Sequence, residues 1–203
     1  MTTYDLPTTP TVSSASFGLQ SNTQVFQSPL SGATQVVELT GARWYATYTV
    51  PPLTPSESGV WLSFLTKLRG QANSFYGYDP ARKTAQGALG GTPLVNGASQ
   101  TGNTLVTDGW SASVTGVMKA GDYLAYATSS ARSLHMVVAD ANSDGSGNAT
   151  FTIEPSIRIS PADDAAIITA SPACVMRLTS DAVTWDETLA QTIGISFSAV
   201  EVI

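Results

Sequence analysis

The stretch TPSESGVWLSFLTKLRG, Thr54 to Gly70, leaves the rest of the chain the fewest choices. Its pattern predicts a helix. Thr54 stands as N-cap, Pro55 at the first helical position where its missing N–H costs nothing, and Glu57 at capping-box spacing. Val60, Trp61, Phe64, Leu65 and Leu68 fall on one face of a 3.6-residue period. Glu57 lies toward the positive end of the helix dipole, and Lys67 and Arg69 toward the negative end. Gly70 is placed to supply a left-handed C-cap. Burying such side chains is worth roughly 1.5–3 kcal/mol each, so the helix needs a large flat surface. No other stretch reads convincingly as helix, so that surface is expected to be a sheet.

Strand signals fill the remainder. Residues 1–10 carry Pro7 and Pro10 without periodicity and read as an extended arm. Val12–Leu19, Thr23–Gln27 and Thr34–Leu39 are strand candidates separated by turns. Ala42 to Val50 alternates, with Trp44, Ala46, Tyr48 and Val50 on one face and Arg43, Tyr45, Thr47 and Thr49 on the other. Pro51 and Pro52 should stop it, and an aromatic strand, Phe75–Asp79, should follow the helix. Residues 80–103 are rich in Gly and small polar side chains and read as a linker or long loop. Short strands are expected at Ser111–Met118, Asp122–Ala127, Leu134–Ala139, Ala149–Glu154 and Ala165–Thr169, with turns between them that include Ser129–Arg132. Val175–Leu178 reads as a strand and Asp181–Leu189 as an irregular crossing.

The last strand candidate is Thr192–Ile203. Ile193, Ile195, Phe197 and Ala199 alternate cleanly, then Val200 and Val202 take the opposite face. A bulge near Ala199–Val200 would restore one apolar face. The alternative buries both faces and leaves Glu201 needing a partner. The organisation expected from these signals is mainly β: a β-sandwich with one packed helix, formed by 1–82 plus 173–203, interrupted by an inserted small β-barrel over 83–172.

Composition narrows the function. Only 12% of the 203 residues are charged, and 15 acids against 9 bases give a net charge of −6. The bases are scattered apart from the pair Arg82–Lys83, which disfavours binding to nucleic acid phosphates or an anionic membrane surface. Cys174 is the only cysteine, so no intrachain disulfide is available. The first residues resemble no signal peptide, and no run is long enough to span a bilayer, so cytoplasmic synthesis is the expectation.

Few motifs suggest chemistry. Asp140-Ala-Asn142-Ser-Asp144-Gly145 matches the first half of a calcium loop, but Phe151 stands where the bidentate Glu belongs. A hairpin turn is the simpler reading. His135, the only histidine, has no spaced partner and is expected at a partly exposed strand position. Cys174 reads as a small buried hydrophobe. Asp163–Asp164 and Asp186–Glu187 could be acid pairs of a glycosidase, although solvated turn residues are the default. Gly87, Gly90 and Gly91 lack the lysine of a phosphate loop. Trp44, Tyr48, Trp61, Phe64, Leu68, Ile195 and Phe197 are assigned to the core, and Tyr45, Tyr76 and Tyr78 to a possible interface. No catalytic residue, metal ligand or cofactor is assigned.

The order of parts resembles the distal tail proteins of long-tailed bacteriophages. ARWYATYTVPPLTPSESGVWLSFLTKLRGQANSFYGYDP, Ala42 to Pro80, is similar to the family's strand–helix core. VMKAGDYLAYA and LHMVVADANSDGSGNATFTIEPSIR resemble the OB-like barrel inserted in some members. The terminal strand resembles the one that closes the first domain. The resemblance implies a non-enzymatic virion structural protein made in a bacterial host. It would form a hexameric ring between the tail tube protein and the baseplate hub or tail-tip proteins, with DNA passing through the lumen unbound and no membrane insertion. An acidic chain suits such a lumen. A carbohydrate-binding or adhesin β-sandwich module for host attachment is the competing reading, and an acid-pair glycosidase the third.

Overall fold

The computed structural model describes residues 1–128, 132–188 and 192–203. Most of the Ser129–Arg132 turn and the Leu189 end of the Asp181–Leu189 crossing therefore lie outside the described residues. In chain order the elements are β1 (Thr3–Asp5), β2 (Ser14–Gln20), β3 (Thr23–Gln27), β4 (Thr34–Glu38), β5 (Arg43–Leu53), α1 (Pro55–Leu68) and β6 (Ser74–Gly77). β7 (Gly91–Val95), β8 (Gly102–Trp110), β9 (Tyr123–Ala127), β10 (Arg132–Val137), β11 (Ala149–Ile157) and β12 (Ile167–Ile168) follow. The chain ends with β13 (Cys174–Leu178), β14 (Trp185–Glu187) and β15 (Ile193–Glu201). The protein is mainly β.

A seven-stranded sheet runs β1-β6-β13-β15-β5-β2, with β14 also paired to β15. It is built from both ends of the sequence. The N-terminal segment is no loose arm: β1 pairs in parallel with β6, and Leu6 is buried beside it. A six-stranded sheet runs β12-β9-β10-β11-β8-β7 and curls into a nearly closed barrel, its ends joined by a bridge between Leu94 and Ala166. β3 and β4 form a hairpin of their own.

Helix α1 lies across the inner face of the seven-stranded sheet. The Thr54 N–H donates to Glu57 Oε2 at 3.0 Å, and the Thr54 hydroxyl donates to the same oxygen at 2.7 Å. The left-handed turn begins one residue earlier than the glycine suggested, at Arg69 (φ 52°), and continues through Gly70 (φ 62°). A Cβ on Gly70 would meet the Cα of Asp181 at 2.8 Å, so close approach holds that glycine as well. Trp61, Phe64, Leu65 and Leu68 are buried, whereas Val60 is half exposed because the buried stripe is completed by Ser58. Phe64 meets Phe75 edge-on at 5.6 Å, and Phe197 joins the same cluster with Tyr48 and Trp61. All seven of the assigned core residues, Trp44, Tyr48, Trp61, Phe64, Leu68, Ile195 and Phe197, are buried in this cluster.

Two departures share one cause. β5 does not stop at the prolines but runs on to Leu53. Leu53 pairs with Ile193 and Val50 with Ile195, so Pro51 and Pro52 of β5 stand opposite the single residue Gly194 of β15, and the bulge absorbs both prolines. β2 ends its pairing with β5 at Thr49, so neither proline owes a ladder hydrogen bond to that side. The irregularity thus falls at this end of β15 and not at Ala199–Val200, where register is continuous. Glu201 therefore points inward, 1% exposed.

The barrel also departs from the sequence reading. Residues 80–103 are not all linker, because β7 and the start of β8 occupy the second half. Gly109 makes the close β7–β8 approach, since a Cβ there would lie 2.4 Å from the Thr92 carbonyl oxygen. Ser111–Met118 is a turn-rich loop and not a strand, although Val117 and Met118 are buried. The "KAGD" segment explains the fold of this region. Asp122, 3% exposed, accepts N–H groups from Gln86, Gly87 and Lys119 at 2.7–3.0 Å, tying the connecting segment to the barrel.

The barrel packs on the Trp44 end of the same inner face that α1 covers at the other end. Phe17, Trp44 and Tyr123 form one aromatic cluster, and Trp44 Nε1 donates to the Leu134 carbonyl at 2.8 Å. Arg158, from just beyond β11, reaches across the seam. Its Nη2 donates to Glu201 Oε1 at 2.5 Å and its Nη1 to the Ala42 carbonyl. Glu201 Oε2 accepts the Trp44 N–H at 3.1 Å. Removing one partner of a buried pair costs about 3–5 kcal/mol. Arg158→Met should lower stability by that amount in urea denaturation, and the Arg158→Met/Glu201→Gln double variant should recover most of it. A loss below about 1 kcal/mol would remove the pair from this role.

Candidate assembly interface

The exposed hairpin is the most unusual surface. Its base is closed by Leu39 N–H to Asn22 O and by Asn22 Nδ2 to Thr40 O, each 2.8 Å. At the tip Ser28 and Ala33 are bonded around Gly32 (φ 69°), where glycine's freedom is needed. Every residue of both strands is exposed. Val25 pairs with Val36 on one face, while Phe26 and Val37 sit on the other. Phe26 is 51% exposed and Leu30, at the tip, 98%. Glu38 is the only charge between residues 22 and 40. A lone two-stranded hairpin is marginal in water, and interface cores are depleted of charge in just this way.

The hairpin leaves the sheet at β2, which among the described residues is an edge strand paired with β5 alone. Its sequence, SASFGLQ, has no charge, no proline and no bulge, the usual guards of an edge. Gly18, Leu19, Gln20 and Tyr45 line a shallow, mostly apolar hollow of about 420 Å³ beside the hairpin base. The outer face of the sheet is hydroxylic. Register sets Ser16, Thr47 and Ser198 in one row and Ser14, Thr49 and Ser196 in the next. Thr47 and Ser198 are hydrogen-bonded at 2.8 Å.

The residues assigned to an interface separate. Tyr45 is exposed on the outer face beside the hairpin. Tyr76 and Tyr78 are half-buried elsewhere, in a cleft at the far edge of the sheet. The candidate chemistry disperses in the same way. Asp140 Oδ1 accepts Ala120 N–H, Asn142 Oδ1 accepts Gly116 N–H, and Asp144 caps Ser146 and Asn148, so the calcium-like segment stitches turns together. Among the described residues no three His, Cys, Asp or Glu side chains converge as metal ligands. Asp163 accepts the Gly97 N–H, while Asp186 and Glu187 are exposed on the edge strand β14. Gly87 packs against Val117 and Met118, where a Cβ would lie 2.3 Å from a carbonyl oxygen. Among the described residues no helix is long and apolar enough to cross a membrane.

Two buried groups are neutral by environment. Cys174 lies at 0% exposure and burial pushes its thiol well above the usual range, so it is no nucleophile. His135 is fully buried, not partly exposed as its strand position suggested. It stacks on Tyr126 at 5.2 Å, with Nδ1 2.7 Å from the Pro155 carbonyl and Nε2 3.1 Å from the Tyr126 hydroxyl. The carbonyl requires a proton on Nδ1, so Nε2 accepts from the tyrosine.

Compared with known protein families the sequence matches none, and no curated protein matches it.

Burial lowers the His135 pKa to about 4, from 6.5. The unfolded chain therefore binds the extra proton between those values, and stability must fall as pH drops from 6.5 to 4. The contribution is about 3 kcal/mol at most. Glu201, whose carboxyl is raised by burial, acts in the opposite sense. Comparison with His135→Gln by denaturant melts at several pH values isolates the imidazole. The stability difference should shrink across that window. A pH-independent difference would contradict a buried neutral His135.

Proposed function

We propose that the chain is a structural protein of the tail tip or baseplate of a long-tailed bacteriophage, assembling into a ring that joins the tail tube to the hub and receptor-binding apparatus. The observation that carries the assembly part is the wholly exposed hairpin β3–β4, with Glu38 its one charge, continuing from the edge strand β2. The hairpin and the rest of the sheet are different surfaces, so a contact between them on successive copies is heterologous and closes into a ring when its rotation divides a full turn. The placement in a phage tail rests on the resemblance carried by Ala42–Pro80, by the "KAGD" segment with the β10–β11 region, and by the terminal strand.

In this reading the seven-stranded sheet with α1 is the ring-forming, sandwich-like domain, and the barrel is the OB-like insertion that projects from it. The hydroxyl rows of the outer face suit a lumen because they hydrogen-bond water, with Arg43 and Arg177 gathered at one end of that face beside Gln20 and Val200. Tail tube and hub proteins would cover the two sides of the ring. No step of catalysis is assigned.

Sedimentation velocity and negative-stain microscopy of the purified protein test the proposal. Sixfold rings are expected at high concentration. Phe26→Asp combined with Val36→Asp should yield monomers that unfold at the temperature of the dilute, unassembled parent, because neither side chain belongs to the core. A protein that stays monomeric at high concentration contradicts the reading.

A further inference from the structure

A second cleft, distinct from the assembly surface, lies where the β1–β6 edge of the sheet meets the barrel side. It has a volume of about 360 Å³, and its lining includes Asp5, Thr8, Tyr76, Tyr78, Lys83 and Arg132. Two cations are drawn into it by aromatic faces. The Arg132 guanidinium sits 4.3 Å from the Tyr76 ring centroid, and Lys83 Nζ 5.1 Å from that of Tyr78. Among the described residues neither makes a direct ion pair, although the Asp5 carboxylate lines the same cleft. In a chain of net charge −6 with 9 bases, two cations against the one Asp5 carboxylate leave this cleft with an excess of positive charge.

The walls are fixed in advance. The buried Tyr48 hydroxyl donates to the Tyr78 carbonyl at 2.8 Å. The Ser171 N–H donates to the Lys83 carbonyl at 2.7 Å, and Thr84 bridges to Ala170 beside it. A guanidinium held over a ring keeps its planar fork free at the edge, the geometry that grips a carboxylate or phosphate with two parallel hydrogen bonds. The volume exceeds what one inorganic anion fills. Asp5 accepts hydrogen bonds, and the Thr8 and tyrosine hydroxyls both give and accept them, which suits a ligand body carrying several hydroxyls.

We propose that this cleft binds a small anionic saccharide, a sugar ring bearing a carboxylate or a phosphate, with Arg132 and Lys83 on the acid group and Asp5, Thr8 and the tyrosines around the ring. The proposal is independent of ring assembly, which sedimentation of the same samples reports separately.

Isothermal titration of the full chain with glucuronate, glucose 6-phosphate, glucose and inorganic phosphate tests it. Saturable binding of at least one of the two acidic sugars is expected, tighter than glucose and tighter than inorganic phosphate; which acid binds identifies the group Arg132 holds. Arg132→Gln should weaken that binding about tenfold or more. Arg132→Lys, which keeps the charge and loses the fork, should recover only part, and both variants should unfold at the parent temperature. Lack of saturable binding by either acid would overturn the proposal. So would equal binding of glucose, equal binding of inorganic phosphate, or an unchanged affinity in folded Arg132→Gln.

Discussion

The Glu201 carboxylate is the joint on which the molecule depends. It sits on the terminal strand, 1% exposed, and both its oxygens accept N–H donors from other parts of the chain. One donor, Arg158, comes from the barrel; the other, the Trp44 backbone, opens the longest strand of the sheet. Left unpaired there, the charge would be strongly destabilising, so sheet and barrel are held in one arrangement. The aromatic cluster of Phe17, Trp44 and Tyr123 buries the apolar part of the same seam. Helix α1 then has to cover only the other end of the sheet, around Tyr48, Phe75 and Phe197. One inner face thus serves two neighbours.

With the inner face fully used, what remains to the outside is the hydroxyl face, the bare β2 edge and the hairpin. The hydroxyls of that face bond to one another, but among the described residues the β2 edge and the hairpin faces have no covering partner. The hairpin presents valine and phenylalanine to water on both faces, and a chain so poor in charge has little else to keep such a surface apart from its neighbours. Under the proposed assembly this side would be covered by a second copy, and the Tyr76–Tyr78 cleft lies on the opposite edge of the sheet.

Much of the architecture was legible in the sequence because it is written in local period. The helix and its cap, the alternation of β5, and both hairpin strands follow from side-chain spacing within a few residues. What was not legible depends on partners distant in the chain. Nothing near Glu201 identifies Arg158, 43 residues away, although the broken alternation at Val200 did announce that Glu201 would need one. The prolines could be read as a stop only while the bulge opposite them was unknown. β1 is too short for any period, and its parallel partner β6 lies some 71 residues along. The candidate interface was half legible. Tyr45 stood on the polar face by alternation, but the exposure of Val25, Phe26 and Val36 could not be foreseen from a pattern that elsewhere means burial. His135 was misjudged because its pairing with Tyr126 and Pro155 is made by three strands' worth of register, not by neighbours in sequence.

In the proposed assembly the hairpin and its adjoining edge are covered by a second copy of the chain. Amide hydrogen exchange, measured across a dilution series, tests it most directly. In dilute solution the amides of residues 23–38 should exchange as a frayed hairpin does, while those of β5 and β15 stay protected. At concentrations where assembly occurs, protection should rise in 23–38 and along β2, and little elsewhere in the sheet. Exchange of the hairpin that is equally fast at every concentration, while larger species form, would place the contact on another surface and contradict the account.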